Sequence, residues 1–139
     1  PSPKDEVTMV LNRQGGNPLE ALQPLMTRED LAAMQDAVEE TYLSDAVVNY
    51  IVNLIVATRQ NDNLLRGASP RATLAVTAMA KAVAQLRGRD YVVPGDVREV
   101  FAHTVAHRLI LSPKAEAQNK TAEQVLRDIL NAVPAPKLR

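Results

Sequence analysis

Arg66-Gly67-Ala68-Ser69-Pro70-Arg71-Ala72-Thr73-Leu74 is where the chain stops being a loop and becomes a helix. Ser69 is expected to cap that helix, because a serine hydroxyl can accept a hydrogen bond from a free backbone N–H of the first turn. Pro70 suits the first helical position, where its missing N–H costs nothing and its φ is already helical. Arg71 runs against the pattern. The amino end of a helix carries partial positive charge, so an arginine there is mildly unfavourable. Two readings are open from these residues alone. Either the side chain lies in solvent at a cost of roughly a few tenths of a kcal/mol, or an anion such as a phosphate sits beside it and the free N–H groups.

Downstream, the helix opened by Pro70 should run to Arg87, with Gly88 where a C′ glycine belongs. Leu74, Ala75, Ala78, Met79, Ala82, Val83 and Leu86 read as its buried side, and Thr73, Thr77, Lys81 and Gln85 as a polar stripe. Arg89 to Val93 reads as a short extended link, and Pro94 opens another helix carrying Val97, Val100, Phe101 and Val105 on one face. Ser112 to Lys120 reads as a polar loop. Thr121 with Gln124 forms a capping box for a last helix with Val125, Leu126, Ile129, Leu130 and Val133 inside, stopped by Pro134.

Upstream, Ser44 should cap a helix over Asp45 to Gln60 that is apolar nearly all round: Val47, Tyr50, Ile51, Leu54 and Ile55 on one face, Val48, Val52 and Val56 on another. Such a helix belongs at the centre of a bundle. Two earlier helices start at Ser2-Pro3 and at Thr27, the latter with Asp30 in a capping-box position. Gly15-Gly16-Asn17-Pro18 ends the first. Leu19, Leu22, Leu25 and Met26 are expected to tuck against a neighbouring surface, and Glu39 to Leu43 to form an extended link. The fold class is therefore all-α: a compact bundle of the last four helices preceded by an appendage of two.

Composition agrees. Apolar residues make up 46% of the 139 residues, but aromatic ones only 3%, so the core must be built from Leu, Val, Ile, Ala and Met. Sixteen basic and sixteen acidic residues cancel, which argues against a nucleic-acid partner, since that surface needs a local excess of Lys and Arg. The absence of cysteine excludes disulfides, thiolate metal sites and thiol nucleophiles. No apolar stretch is long enough for a membrane span and no signal-peptide pattern is present, so a cytoplasmic protein is expected. Opening on Pro-Ser-Pro without an initiator Met, the chain reads as a piece of something longer.

Few constellations could carry chemistry. His103 and His107 stand four apart, but no glutamate lies between them and no further His or Cys exists, so no metal site is expected and a solvated helix flank is the better reading. Ser69 lacks the G-x-S-x-G setting of a nucleophile. Asp96 with Glu99 reads as an exposed helix end. No G-x-x-x-x-G-K-[ST] loop and no apolar strand ending in acids is present, so the chain should not hydrolyse a nucleotide by itself.

Several stretches together resemble one family. Tyr50-Ile51-Val52-Asn53-Leu54-Ile55-Val56-Ala57-Thr58-Arg59 is similar to the first lid helix of MoxR-type AAA+ ATPases, and Gly67-Ala68-Ser69-Pro70-Arg71-Ala72 to their sensor 2 motif. Leu86 to Val97 resembles the next signature and His107 to Ser112 the one after it, while Pro1 to Glu6 looks like the segment following the arginine-finger region of the core. The resemblance implies residues 1–41 as the end of an ATPase core and residues 42–139 as a four-helix AAA+ lid. It places Arg71 on the sensor 2 arginine that reaches the γ-phosphate of ATP, with Ser69 and Pro70 as the cap that positions it. Arg59 falls on a family position where a nucleotide or inter-subunit role and a plain helix C-terminal cation are equally expected. Where the family pattern has Thr before and Glu after the proline at position 94, this sequence has Val93 and Gly95, a weaker cap from which lower local stability is expected.

The implied function is a nucleotide-responsive lid that couples ATP hydrolysis in a parent protein to conformational change and ring assembly. ATP and Mg2+ would be bound by the parent and not by this fragment, which lacks Walker A, Walker B and arginine finger. Implied partners are the ATPase core of the same chain, neighbouring subunits of a hexameric ring and an unknown client protein matured in a chaperone-like manner. The alternative is a stand-alone, histone-like interaction module, because the Arg-Gly-Arg-Asp loop, extended Val-Val and Pro-x-Asp-Val helix recur in histone-like folds. It predicts dimerisation without nucleotide. A small helical enzyme has no supporting residues.

Overall fold

The computed structural model describes residues 1–14 and 16–137. Among them are seven α-helices: α1 (Pro3–Arg13), α2 (Arg28–Glu40), α3 (Asp45–Arg59), α4 (Pro70–Leu86), α5 (Pro94–Val105), α6 (Pro113–Ala117) and α7 (Ala122–Ala132). Two short strands, β1 (Leu64–Arg66) and β2 (Ile110–Leu111), pair antiparallel, and single 3-10 turns occupy Pro18–Ala21 and Ala106–Arg108. The mostly helical architecture is the expected one. The sheet was not expected, since strands of two or three residues are too short to show an alternating pattern. The polar stretch after Ser112 is also not all loop: Ser112 Oγ accepts from the Ala115 N–H at 3.3 Å and opens α6.

The chain divides into two compact units, Pro1–Ala32 and Ala33–Arg139, the division falling within α2. In the first unit the helix start is as predicted: Asp5 Oδ2 accepts from the Ser2 N–H at 2.9 Å and Ser2 Oγ from the Asp5 N–H at 3.3 Å. None of the residues of α1 is buried. Gly15, expected to help end this helix, lies outside the described residues. Leu19, Leu22, Leu25 and Met26 do not tuck away as expected; Leu25 is 97% exposed. Leu19 and Leu22 are exposed as well, and Met26 is half exposed.

The second unit holds the core. The predicted face of α3 is buried, but Val48 and Val52 are 38% and 39% exposed, so this helix is buried on one side and not all round. The buried row of α4 differs from the expected one. It is Ala72, Val76, Ala80 and Ala84, spaced by four, whereas Leu74, Met79 and Leu86 are exposed at 72%, 48% and 79%. Alanines at i, i+8 and i+12, with Val76 at i+4, let α4 lie close along α5, its most extensive neighbour, and α3. Close approach selected the small residues over the large ones. In α7 the predicted capping box and inner face both form: Gln124 Oε1 accepts from the Thr121 N–H at 2.9 Å, and Val125, Leu126, Ile129 and Leu130 are buried. The α2–α3 link is held by Tyr42, whose N–H donates to the Asp90 carbonyl at 2.7 Å and whose carbonyl accepts from Val92 at 3.0 Å.

The start of α5 overturns one expectation. Asp96 is fully buried, not an exposed helix end. Its Oδ2 accepts from the Val93 N–H at 2.9 Å and from Arg89 Nη1 at 2.9 Å, while Oδ1 accepts from Arg89 Nη2 at 2.6 Å and Arg87 Nη1 at 3.3 Å. The two-pronged arginine grip holds Asp96 in its reach back to the Val93 N–H, while Val93 itself, as expected where Thr is missing, makes no side-chain capping bond. Burial alone would push the Asp96 carboxyl upward. The Arg89 and Val93 hydrogen bonds and the two guanidinium charges outweigh it, leaving the group below the usual carboxylate range.

Candidate functional site at the start of the fourth helix

The turn before α4 is built against the last turn of α3. Thr58 is fully buried, and its Oγ1 donates to the Ile55 carbonyl at 2.6 Å while accepting from the Ala68 N–H at 2.9 Å. Arg59 Nε donates to the Ala68 carbonyl at 2.7 Å. Both polar groups of the Ala68 backbone are thus tied to α3, as a buried peptide requires. Gly67 completes the join. A Cβ there would stand 2.5 Å from the Thr58 carbonyl oxygen and 2.6 Å from the Arg59 N and Cα, so only a residue without one lets the two backbones meet. On its other side β1 runs into the same turn.

Ser69 corrects an expectation. It occupies the N-cap position with extended backbone (φ −81°, ψ 167°), but its side chain makes no capping bond. The first turn closes through backbone instead, the Ala72 N–H donating to the Ser69 carbonyl at 2.8 Å. Ser69 is exposed, so water can satisfy its hydroxyl, and the turn is already fixed from α3. Pro70 stands at the first helical position as predicted. Thr58 and Gly67 are the residues that reading the sequence missed. Gly67 gave a signal, a glycine just ahead of a Ser-Pro helix start; Thr58 gave none, because a bond spanning ten residues leaves no local pattern.

Arg71 is exposed on the first turn of α4, which carries no acidic residue. It lines a groove of about 560 Å3 with Val52, Val56, Arg59, Thr73 and Leu74. Among the described residues two guanidinium groups and no carboxylate border this groove, a setting that attracts an anion. A larger groove of about 860 Å3 lies between α4 and residues 34–39, but Asp36 and Glu39 on its rim would repel a phosphate. His103 and His107 are both exposed, His107 sitting in the 3-10 turn beyond α5. Among the described residues no group of three or more His, Cys, Asp or Glu is placed to hold a metal ion. No helix there is long and apolar enough to cross a membrane.

Comparison with known proteins bears on the same stretch. The family model of the AAA lid domain matches residues 56–129, which include Arg59, the whole turn and α4. Chaperone MoxR1 of Mycobacterium tuberculosis is 37% identical over 99% of this chain and 38% of its own length. The uncharacterised protein YeaC of Bacillus subtilis is 34% identical over 100% of this chain and 43% of its own. A crystal structure of a Cytophaga hutchinsonii protein, assigned provisionally as an ATPase, superposes with a TM-score of 0.83 at 29% identity, over 96% of this chain and 43% of that one. The chain therefore spans about two fifths of the length of these relatives.

Proposed function

From its membership of the MoxR family of AAA+ ATPases, to which this chain belongs as the AAA lid region, we propose that it senses ATP bound elsewhere in a longer protein. Residues 42–139 are the helical lid in this reading, and residues 1–41 the last helices of the ATPase core. Arg71 acts as the sensor 2 arginine, its planar fork of donors meeting the γ-phosphate and the charge that develops on it during transfer. The observation that carries the reading is the pairing of an exposed Arg71 with an acid-free helix start and an acid-free groove. An anion is what such a surface lacks.

These residues suit the phosphate end of ATP. They do not suit Mg2+, which needs carboxylate oxygens that this groove does not offer; the metal belongs with the parent's core. When bound there, ATP supplies the phosphoryl group, and the lid's part is to stabilise charge and to change position as that charge is lost. Through that movement the lid couples hydrolysis to neighbouring subunits of a hexameric ring and to a chaperone-like action on a client protein in the cytoplasm. The test is ATP hydrolysis by the parent protein carrying Arg71→Ala. A loss on the order of 10²-fold or more is expected, as when one preorganised donor to transition-state charge is removed. Undiminished hydrolysis overturns the sensor role.

A further inference from the structure

We propose that Arg59 and Thr58 are positioning residues for Arg71, acting through the Ala68 peptide and not on the nucleotide themselves; the consequence for hydrolysis rests on the sensor reading above. Three independent features of α3's last turn converge on one peptide of the loop. Thr58 Oγ1 receives the Ala68 N–H at 2.9 Å, Arg59 Nε donates to the Ala68 carbonyl at 2.7 Å, and Gly67 lies against the Thr58–Arg59 backbone closely enough to forbid a Cβ. Ala68 itself is 1% exposed, so neither of its polar groups can turn to water when a partner is removed.

Arg71 is three residues further on, joined through Ser69 and Pro70, and the Ser69 hydroxyl contributes no capping bond. The loop side of the turn that carries Arg71 is therefore held from α3, while the helix behind it packs on α5. Proline stiffens the step, since its fixed φ passes any tilt of the Ala68 peptide into the first turn of α4. A guanidinium that must meet a phosphate within a few tenths of an ångström gains from such a mount, because small misplacements cost large factors in rate. Arg59 borders the same groove as Arg71. A direct contact between Arg59 and the anion is thus the competing role, and the two differ in how the arginines combine.

The experiment has two arms. In the 139-residue chain, amide hydrogen exchange is followed for Arg59→Ala, Thr58→Val and Thr58→Ser. Exchange at Ala68 and Ala72 should rise about 3- to 10-fold in the first two, the equivalent of one lost hydrogen bond. It should return toward the parent value in Thr58→Ser, which keeps the hydroxyl, with α7 amides unchanged throughout. Unchanged exchange at Ala68 and Ala72 overturns the proposal. In the longer ATPase, Arg59→Ala should lower kcat about 5- to 10-fold when Arg71 is present and less than twofold in an Arg71→Ala background. Equal losses in both backgrounds show Arg59 acting on its own and overturn the positioning role. A loosened turn with hydrolysis insensitive to both arginines supports the join to α3 and overturns the sensor reading instead.

Discussion

Two helices of the second unit, α4 and α5, start alike and end up with opposite electrostatics. Each has proline at its first position after an extended residue that makes no side-chain capping bond, Ser69 in one and Val93 in the other. At α5 the positive end is neutralised from within: Asp96 reaches back to the Val93 N–H and is gripped by Arg89 and Arg87. At α4 the first turn has no acid, its mount comes from α3, and the nearby charges are cations. The difference teaches that a helix start can be held by either strategy. Only the second leaves its positive field uncompensated, and a field left open is one available to a ligand.

Perturbing the α5 start should have the larger effect on stability. Removing Asp96 (Asp96→Ala) leaves Arg89 without its carboxylate and the Val93 N–H without its acceptor, while Arg87 keeps Glu99. Breaking a fully buried pair costs about 3–5 kcal/mol. Because Arg87 and Arg89 are 49% and 21% exposed, water offsets part of the loss, and about 2–3 kcal/mol is expected in urea unfolding. A change under about 0.5 kcal/mol would mean the acid is not what holds α5.

The same carboxylate gives the comparison a pH dependence. Its folded pKa lies below the unfolded value of about 3.9. Its stabilisation is therefore complete above that value and is lost as pH falls from about 4 through the folded pKa. Stability measured at pH 5 and pH 3 should fall less steeply for Asp96→Asn than for the natural chain. Identical slopes would contradict the assignment.

At the α4 start the expected effects are smaller and more local. Gly67→Ala forces a methyl group into the α3 backbone and should cost about 1–3 kcal/mol, as overpacking does, with the disturbance greatest at Ala68 to Ala72. Ser69→Ala should change the melting transition by less than about 0.3 kcal/mol, against about 1 kcal/mol for a bonded cap. Thr121→Ala, which removes the bonded cap of α7, is the matched control. Should Ser69→Ala prove as costly as Thr121→Ala, the hydroxyl would be a cap after all.

Helix starts were legible because their signals are local. Thr27 with Asp30 and Thr121 with Gln124 form the boxes their spacing announced, and the helix start read at Ser2-Pro3 forms a box with Asp5 as well. What covers what was less legible. Hydrophobicity pointed to Leu74, Met79 and Leu86 as the inside of α4, but packing distance to α5 decided for Ala72, Ala80 and Ala84. Asp96 read as exposed because the arginines that bury it, seven and nine residues earlier, form their grip only when the link folds back. For the candidate site, Pro70 and the odd placement of Arg71 stood out in sequence. The mount did not, since Thr58 and Arg59 reach Ala68 across a loop and a strand.

The central claim is that Arg71 answers a phosphate held by another part of the parent protein. It is tested most directly by a structure of that longer ATPase with a non-hydrolysable ATP analogue. The account predicts an Arg71 guanidinium nitrogen about 2.7–2.9 Å from a γ-phosphate oxygen, the length of a charge-assisted bond. Arg71 pointing into solvent in every nucleotide-filled subunit would contradict it.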